Sequence, residues 1–194
     1  TQVEAAPRDA EQAASQVGYP LVMKIDSPKV SHKTDVGGVK TGIKAREEVQ
    51  ESFRNIIDNV HHAKNGQVPI NGVVIQEEVD GLEVALGMKR DPQFGPMILV
   101  GLGGIYIEAL HDISFGIAPI SEEEAKQMIE ELQSSELFEG VRGEERSMEP
   151  VKDAIIRLGE LALNHENISE IDINPLILQE EKAFIADIEI ELGG

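Results

Sequence analysis

The sequence predicts an α/β protein, and three observations support this fold class. Short aliphatic runs that are typical of strands alternate with longer segments whose apolar residues recur at helical spacing. The 18 glycines of the 194-residue chain are scattered between these segments, without a low-complexity tract. Apolar residues make up 41% of the chain, which suffices for the core of one large domain or two small ones. A coiled coil and a disordered tail are therefore excluded.

The first third of the chain is predicted to contain two helices, a strand and a loop. Pro7 opens a short polar helix that Gly18 ends, because proline suits the first helical turn and glycine the helix end. Residues 21–25 form a compact apolar strand, and residues 31–42 follow as a loop with three glycines. Residues 47–64 predict an amphipathic helix with one packed face. The apolar side chains of that face are Val49, Phe53, Ile56, Ile57 and Val60.

The middle of the chain is predicted to be rich in strands. Residues 73–79 and 82–88 are two strands joined by Asp80-Gly81, a dipeptide that favours tight hairpin turns. Residues 97–100 form a third strand, and a further strand is predicted toward Leu110. This region therefore predicts a sheet that begins with a hairpin.

Two helices and a terminal hairpin complete the predicted fold. Ser121 and Glu124 have the spacing of a capping box, which predicts a helix that ends near residue 133. Pro150 opens another helix that runs to residue 164. Residues 168–178 and 183–192 flank a polar turn and predict a β-hairpin. An α/β half thus precedes a strand-rich half, and no internal repeat is visible.

Composition excludes several classes of function. The chain has no cysteine, so thiol nucleophiles, disulfides and zinc-thiolate sites are absent, and a cytoplasmic location is expected. The formal charge of −19 repels nucleic acid and anionic lipid, so we expect neither nucleic acid nor a membrane as a partner. No apolar run approaches the roughly 18 residues of a membrane span, and no signal peptide is visible. An anionic ligand would need a site where local lysines and amides reverse the sign.

Lys24 and the loop after it form the first candidate site. Lys24 shares a face with Val22 in an otherwise apolar strand, so a bound phosphate would offset the desolvation of its ammonium group. The alternative is an edge-strand lysine that reaches solvent or forms a structural ion pair. In the loop 31–40, the amides of Gly37-Gly38 could cradle phosphate while His32 accepts a phosphoryl group. His32 could also be structural, because the sequence identifies no neighbouring base.

Acidic residues mark two further candidate positions. Glu83 shares a strand face with small residues, which leaves room for an adenine nucleotide whose ribose hydroxyls the carboxylate could reach. The alternative is a solvated acidic hairpin. Near the C-terminus, Asp172, Asn174 and Asp187 supply the oxygen donors that suit Mg²⁺. The alternative there is a turn after Asn174 and a solvent-facing Asp187.

Taken together and in order, these segments resemble the ATP-grasp domain of ADP-forming acyl-CoA synthetases, also called the NDP-forming acyl-CoA synthetase superfamily. The His-Lys-Thr-Asp-Val-Gly-Gly loop favours the acetate–CoA ligase branch over succinyl-CoA synthetase. The resemblance implies two α/β subdomains, 1–72 and 73–194, with the nucleotide in the cleft between them and the usual start of the first subdomain missing. The segments that carry it are 18–24 with 31–38, 76–83, 91–96 with 101–108, and 170–176.

The resemblance also assigns a role to each candidate residue. Lys24 would contact an ATP phosphate, and His32 matches a histidine that relays phosphate between a partner phosphohistidine and ADP. Gly116 is a departure, because relatives often carry an arginine there that could contact an anion. The implied nucleotide-binding set is Lys24, Gly37, Gly38, Glu77, Glu78, Val79, Glu83 and Glu108, with residues 77–79 at the adenine, and the implied Mg²⁺ ligands are Asn174, Asp187 and Asp172.

The implied function is that of the nucleotide-binding β subunit or domain of an ADP-forming acetate–CoA ligase, an acid-thiol ligase. Its cofactors would be ATP or ADP with Mg²⁺, and its partner would be a CoA-binding α subunit or domain in a hetero-oligomer. One alternative is a regulatory or scaffold domain, as in acyl-CoA-synthetase-like protein acetyltransferases. Another is an ATP-binding interaction module without phosphoryl transfer.

Overall fold

Two compact units make up the chain. The computed structural model describes residues 1–30, 32–66, 68–103, 112–140 and 146–193. The units are Thr1–Glu78 and Val79–Gly194. The boundary therefore lies after Glu78, because the strand that begins at Gly72 pairs within the first sheet. The sequence placed the boundary after residue 72.

The described part of the first unit combines one antiparallel sheet with two helices. Its sheet has the order β1-β4-β2-β3, in which every neighbouring pair of strands is antiparallel. The elements described in this unit are β1 (Gln2–Glu4), α1 (Pro7–Val17), β2 (Leu21–Asp26), β3 (Val39–Ile43), α2 (Arg46–Ala63) and β4 (Gly72–Glu77).

The core of the first unit lies between its sheet and its helices. Leu21, Met23 and Ile25 of β2 are buried together with apolar residues of α1 and α2 such as Val49. Successive strand residues point to opposite faces, so Lys24 lies on the other face of the sheet. The predictions of a strand at 21–25, of a short helix that begins at Pro7 and of a helix over most of residues 47–64 are confirmed.

The second unit is a larger antiparallel sheet with three helices in its described part. The strand order is β10-β8-β5-β6-β7, and β9 pairs with the end of β8. The elements are β5 (Leu82–Asp91), β6 (Gly95–Leu102), β7 (Ile113–Ile117), α3 (Glu122–Glu130), α4 (Glu136–Glu139), α5 (Glu149–Asn164), β8 (Ile168–Gln179), β9 (Lys182–Ile185) and β10 (Ile188–Leu192).

The helices of the second unit pack on one face of its sheet. Val84, Leu86 and Met88 of β5 share a core with Ile129 of α3 and Ile155 of α5. The alternate residues of β5, among them Glu83 and Gly87, therefore belong to the opposite face, which we call the second face. The predicted ligand-binding residues Glu83 and Asp172 belong to this second face, because Asp172 pairs with Gly87.

Two local predictions in the second unit are confirmed. The Ser121 hydroxyl accepts a hydrogen bond from the Glu124 amide, and the Glu124 carboxylate accepts one from the Ser121 amide, which completes the capping box of α3. The terminal hairpin is also present, because β9 and β10 both pair with β8. The second strand of this hairpin is interrupted at residues 186–187, between β9 and β10.

The predicted hairpin at Asp80-Gly81 is wrong. Strand β4 pairs with β1 and β2, whereas β5 pairs with β6 and β8, so the two strands belong to different sheets. Gly81 has a packing reason instead of a turn role: a Cβ there would lie 2.5 Å from the carbonyl oxygen of Leu178. The glycine therefore lets β5 begin close to the backbone of β8.

Two other differences concern loops. Residues 39–43, most of which were predicted as loop, form β3 because they pair with β2. The strand predicted toward Leu110 lies outside the described residues. Within the described part of the chain, no helix combines the length and apolarity that a membrane crossing requires.

Candidate functional site

Lys24 lies in a central strand of the first sheet. It pairs with Val39 of β3 on one side and with Val74 of β4 on the other. Its side chain is half-buried on the face that it shares with Val22, which is 8% exposed. The pairing excludes the edge-strand alternative, so the Lys24 ammonium group projects from the middle of a sheet beside an apolar side chain.

His32 is exposed at the start of a tight loop. The Gly37 amide donates to the carbonyl of Thr34 at 3.0 Å, and the Gly38 amide donates to the carbonyl of Lys33 at 2.8 Å. Both glycine amides therefore hold the turn. A phosphate cradled by these amides would require the two turn bonds to open, so the side chains of the loop are better placed than the glycine amides to meet an anion.

The two glycines of this loop are required by space and by backbone conformation. Gly37 has a φ of +65°, and a Cβ there would lie 2.8 Å from Nδ2 of Asn59. A Cβ at Gly38 would lie 2.7 Å from Cγ2 of Ile25 and 2.9 Å from the carbonyl oxygen of Lys33. The Gly38 carbonyl also accepts a hydrogen bond from the Ile25 amide at 2.7 Å. The loop is thus bound closely to β2.

Glu78 is held firmly within the first unit. Its amide donates to the carbonyl of Pro20 at 3.1 Å. Its two carboxylate oxygens accept from the Gly42 amide at 2.9 and 3.1 Å, and Gly42 has a φ of +69°. Glu77 is exposed at the end of β4, and Val79 is the first residue of the second unit. The carboxylate of Glu78 therefore orders the end of β3.

Glu83 lies at the start of β5, and its side chain is exposed. Its carbonyl accepts a hydrogen bond from the Gly103 amide at 2.7 Å, and a Cβ at Gly103 would lie 3.1 Å from Cβ of Glu83. Further along β5, Gly87 pairs with Asp172, and a Cβ at Gly87 would have no heavy atom of the described residues nearer than 3.6 Å. Packing among the described residues therefore does not require a glycine at this position. Glu108 lies outside the described residues.

A β-bulge shapes the predicted metal site. Val84 pairs with Leu176 and Leu86 pairs with Ile173, so two residues of β8 oppose one residue of β5. The two residues are Asn174 and Pro175. An extra residue of this kind bends a strand and redirects a side chain, and bulges are frequent beside functional sites. The local irregularity thus falls on a predicted ligand.

The hairpin brings Asn174 and Asp187 opposite each other. The Asn174 amide donates to the carbonyl of Asp187 at 3.2 Å, and the Ala186 amide donates to the carbonyl of Pro175 at 3.0 Å. Asp172 and Asn174 are both exposed whereas Ile173 between them is buried, so both lie on the same side of β8. The three predicted oxygen donors are therefore neighbours in the second unit.

The donor set fits Mg²⁺ better than a metal held by protein alone. In the described part of the chain, no three His, Cys, Asp or Glu side chains form a group that could hold a metal ion. Two carboxylates and one amide would leave most of an octahedral shell to water and phosphate oxygens. That arrangement is typical of Mg²⁺ bound with a nucleotide.

The structure thus groups the candidate residues within each unit and adds two residues that the sequence did not reveal. In the first unit, Lys24 and the His32 loop adjoin through β2, and in the second unit the metal donors and Glu83 share one sheet. The additional residues are Gly42, which binds the Glu78 carboxylate, and Asn59, which binds the Gly37 carbonyl. No sequence pattern could have identified Asn59, because it is one of several polar residues on the surface of a helix.

Comparison with known families identifies the fold. The profile of the ATP-grasp domain matches residues 1–192. The chain belongs to the ATP-grasp family. The predicted ATP-grasp fold and the resemblance on which it rested are therefore confirmed.

Similar proteins place this ATP-grasp chain beside acetate–CoA ligases. It is 45% identical over 186 residues to the β subunit of acetate–CoA ligase (ADP-forming) I from Pyrococcus furiosus, covering 95% of the chain and 80% of that subunit. It is 41% identical to acetate–CoA ligase (ADP-forming) I from Archaeoglobus fulgidus, covering 95% of the chain but only 27% of that longer protein.

A solved structure has the same fold at high similarity. Dinucleotide forming acetyl-coenzyme A synthetase 1 of Ca. Korarchaeum cryptofilum, in complex with coenzyme A and Ca-AMPCP, matches with a TM-score of 0.93 and 40% identity over 99% of this chain and 84% of that one. The same enzyme with coenzyme A and Mg-AMPPCP, in which a phosphohistidine segment points towards the nucleotide binding site, matches with a TM-score of 0.80, 38% identity and coverage of 98% and 84%.

Proposed function

We propose that this ATP-grasp chain is the nucleotide-binding component of an ADP-forming acyl-CoA ligase of the acetate–CoA ligase type. The observation that carries the proposal is the 45% identity to a ligase β subunit over 95% of the chain. The overall reaction is acyl-CoA + ADP + phosphate ⇌ carboxylate + ATP + CoA. The chain spans 27% of a longer ligase, so we assign the thioester chemistry to a CoA-binding partner subunit or domain.

We assign the phosphoryl relay to His32. In the direction of ATP formation, the N–P bond of a partner phosphohistidine breaks as a neutral imidazole nitrogen of His32 forms a new N–P bond. That bond then breaks as a β-phosphate oxygen of ADP attacks the phosphorus, which yields ATP and free His32. The exposed position of His32 on a loop bound to β2 supports this role. So does the phosphohistidine segment that points towards the nucleotide site in a solved relative.

Lys24 is assigned to the phosphates of the nucleotide. Phosphoryl transfer depends mainly on positioning and on the neutralisation of charge on the phosphoryl oxygens. Lys24 is half-buried in the middle of a sheet, where its ammonium group is less screened by solvent than that of a surface lysine. It is therefore suited to stabilise phosphate charge in a chain whose net charge is −19.

The adenine and ribose are assigned to residues 77–79 and to Glu83. The carboxylate and the amide of Glu78 are bound by Gly42 and Pro20, so we assign the adenine contact to the remaining backbone groups of residues 77–79. An adenine presents one donor amine and ring acceptors, which backbone carbonyl and amide groups can match. The exposed carboxylate of Glu83 is assigned to the ribose hydroxyls.

Asp172, Asn174 and Asp187 are assigned to Mg²⁺. The three residues are neighbours on β8 and its hairpin partner, and their mixed carboxylate and amide oxygens suit a cation that shares its shell with phosphate. When bound, Mg²⁺ would neutralise charge on the phosphates of the nucleotide. A nucleotide analogue with Mg²⁺ is bound in the enzyme of Ca. Korarchaeum cryptofilum.

The partner of this chain is proposed to be a CoA-binding α subunit in a hetero-oligomer. The support is that the Pyrococcus furiosus relative is a β subunit, whereas the Archaeoglobus fulgidus relative is a single longer chain. The high negative charge argues against nucleic acid and anionic membranes as additional partners. A cytoplasmic location stays a prediction from composition.

The decisive test is transfer of labelled phosphate. The chain is incubated with γ-labelled ATP, Mg²⁺ and its CoA-ligase partner, as wild type, His32→Ala and the control His62→Ala, whose imidazole is exposed at the end of α2. We expect label on the partner with the wild type and the control but not with His32→Ala. If ATP binds and label moves in none of them, the chain is a regulatory or scaffold domain instead.

A further inference from the structure

Asn59 connects helix α2 to the loop that carries His32. Its Nδ2 donates a hydrogen bond to the carbonyl oxygen of Gly37 at 3.2 Å. Nδ2 would be only 2.8 Å from a Cβ at position 37, so the amide group packs against the bare glycine backbone. The packing of Asn59 on Gly37 and the hydrogen bond to its carbonyl oxygen together attach the loop to α2.

The restraint at Gly37 is transmitted toward His32 through the turn. The Gly37 amide is bonded to Thr34 and the Gly38 amide to Lys33, at 3.0 and 2.8 Å. Lys33 is the residue next to His32. A shift of the Gly37 carbonyl would therefore disturb the turn whose first residues fix the backbone on which the imidazole stands.

Helix α2 is a rigid support for this contact. Val60, the neighbour of Asn59 in the sequence, is fully buried, and Phe53 and Ile56 are 5% and 2% exposed. Cγ2 of Val60 would lie 3.3 Å from a Cβ at Gly38, so the second glycine of the loop also packs on α2. Two adjacent residues of one helix thus restrain two adjacent glycines.

We propose that Asn59 is a positioning residue for phosphoryl transfer, and this inference rests on the proposed function of His32. The Asn59 side chain holds the Gly37 carbonyl so that the turn keeps His32 in one place for both the partner phosphohistidine and ADP. A reaction that depends on alignment is sensitive to small displacements of the accepting group. Asn59 is exposed and belongs to no part of the assigned nucleotide set, so its effect reaches the reaction through the loop.

The chain supplies a matched control on the same helix. Asn55 lies one helical turn before Asn59 and is likewise exposed, and it makes no side-chain hydrogen bond within the described residues. Three variants separate the effects: Asn59→Ala removes the amide, Asn59→Asp keeps its shape but removes the N–H donor, and Asn55→Ala removes an amide without a partner. Melting temperatures of all three are compared with the wild type.

The first measurement is amide hydrogen exchange at Gly37 and Gly38, which needs no activity. One hydrogen bond contributes a net factor of about 2 to 12 in a local equilibrium. We expect protection of both amides to fall by about that factor in the two Asn59 variants and to remain unchanged in Asn55→Ala. Unchanged protection in the Asn59 variants would overturn the proposal.

The second measurement is the rate constant for transfer of label from γ-labelled ATP to the partner, with the affinity for Mg-ATP measured in parallel. We expect the rate constant to fall by about 2- to 12-fold in both Asn59 variants, while Mg-ATP affinity stays within error of the wild type and the melting temperature falls by no more than the few degrees that one hydrogen bond contributes. Loss of protection with an unchanged transfer rate, or an equal loss of Mg-ATP affinity, would overturn the positioning role. If the wild type transfers no label, the proposed function and the role of Asn59 in it both fail, while the exchange data still report on the contact.

Discussion

Replacement of Asp112 by asparagine is expected to destabilise the second unit. Asp112 is 5% exposed, and its two carboxylate oxygens accept from the amides of Gln133 and Ser134 at 2.8 and 2.9 Å. These bonds join the residue before β7 to the turn after α3. An asparagine side chain can accept only one of them and would turn its NH₂ group toward the other backbone N–H donor. Loss of one charge-assisted bond and burial of an unpaired amide predict a decrease in the free energy of unfolding of about 2–4 kcal/mol.

The pH dependence of this effect has a defined sign. Burial raises the pKa of the Asp112 carboxyl, but hydrogen bonds from Ser134 and Gln133 lower it by more, so the folded pKa lies below the ordinary value. A lowered pKa stabilises the fold at pH values above the unfolded pKa, and this stabilisation is lost as the pH falls through the folded pKa. The difference between wild type and Asp112→Asn is therefore complete at neutral pH and shrinks in the acid range.

Urea unfolding followed by circular dichroism, between pH 7 and pH 3, measures this difference. Asp153→Asn is the control, because Asp153 is exposed and pairs with a surface arginine. Exposed pairs of this kind contribute roughly 0–1 kcal/mol. A difference below about 0.5 kcal/mol for Asp112→Asn at pH 7, or one that stays constant down to pH 3, would refute the reasoning.

Three further predictions concern packing, helix termination and metal binding. Gly38→Ala is expected to lower the free energy of unfolding by about 1–3 kcal/mol through overpacking. Gly159→Ala should instead raise it by about 0.5–1 kcal/mol, because the new Cβ within α5 would lie no nearer than 3.5 Å to another heavy atom. Arg90→Met removes three hydrogen bonds to carbonyls at the end of α5 and the start of β8 and should lower the free energy of unfolding by about 2–4 kcal/mol. The control Arg157→Met, on the surface, should lower it by less than about 0.5 kcal/mol. Urea titrations in which Gly38→Ala is not less stable than Gly159→Ala, or Arg90→Met not less stable than Arg157→Met, would contradict the respective prediction. Asp187→Asn should raise the Mg²⁺ concentration needed for half-maximal nucleotide binding by about tenfold, measured by calorimetric titration, and an unchanged midpoint would exclude Asp187 as a ligand.

Much of the fold follows from local sequence patterns. Three helices could be located from the sequence because their ends and apolar faces depend on nearby residues. The features that located them are Pro7, the apolar spacing of residues 47–64 and the capping box at Ser121. The aliphatic run at 21–25 located β2 for the same reason. Strand pairing was less accessible: Asp80-Gly81 has the composition of a hairpin turn, yet the neighbouring strands pair in different sheets. Pairing depends on the burial of both strand faces by distant segments, which a dipeptide does not report.

The candidate site divides in the same way. The residue types alone nominated Lys24, His32 and the acidic C-terminal donors, because phosphate and Mg²⁺ require cations, nucleophiles and hard oxygen ligands. Their surroundings were not predictable. The two glycines of the His32 loop were expected to offer amides to phosphate, but these amides close the turn, and close packing and the left-handed backbone of Gly37 explain the glycines.

The sequence by itself determined the family and the order of the main elements and nominated the residue types of the candidate site, since these are carried by local motifs. Tertiary structure decided which groups remain available for a ligand. It bound the Glu78 carboxylate to the Gly42 amide, placed Asn174 in a bulge opposite Ala85 and set Asn59 against Gly37. Each contact joins residues far apart in the chain, and hydrogen bonding and steric exclusion between distant segments arise only when the chain has folded.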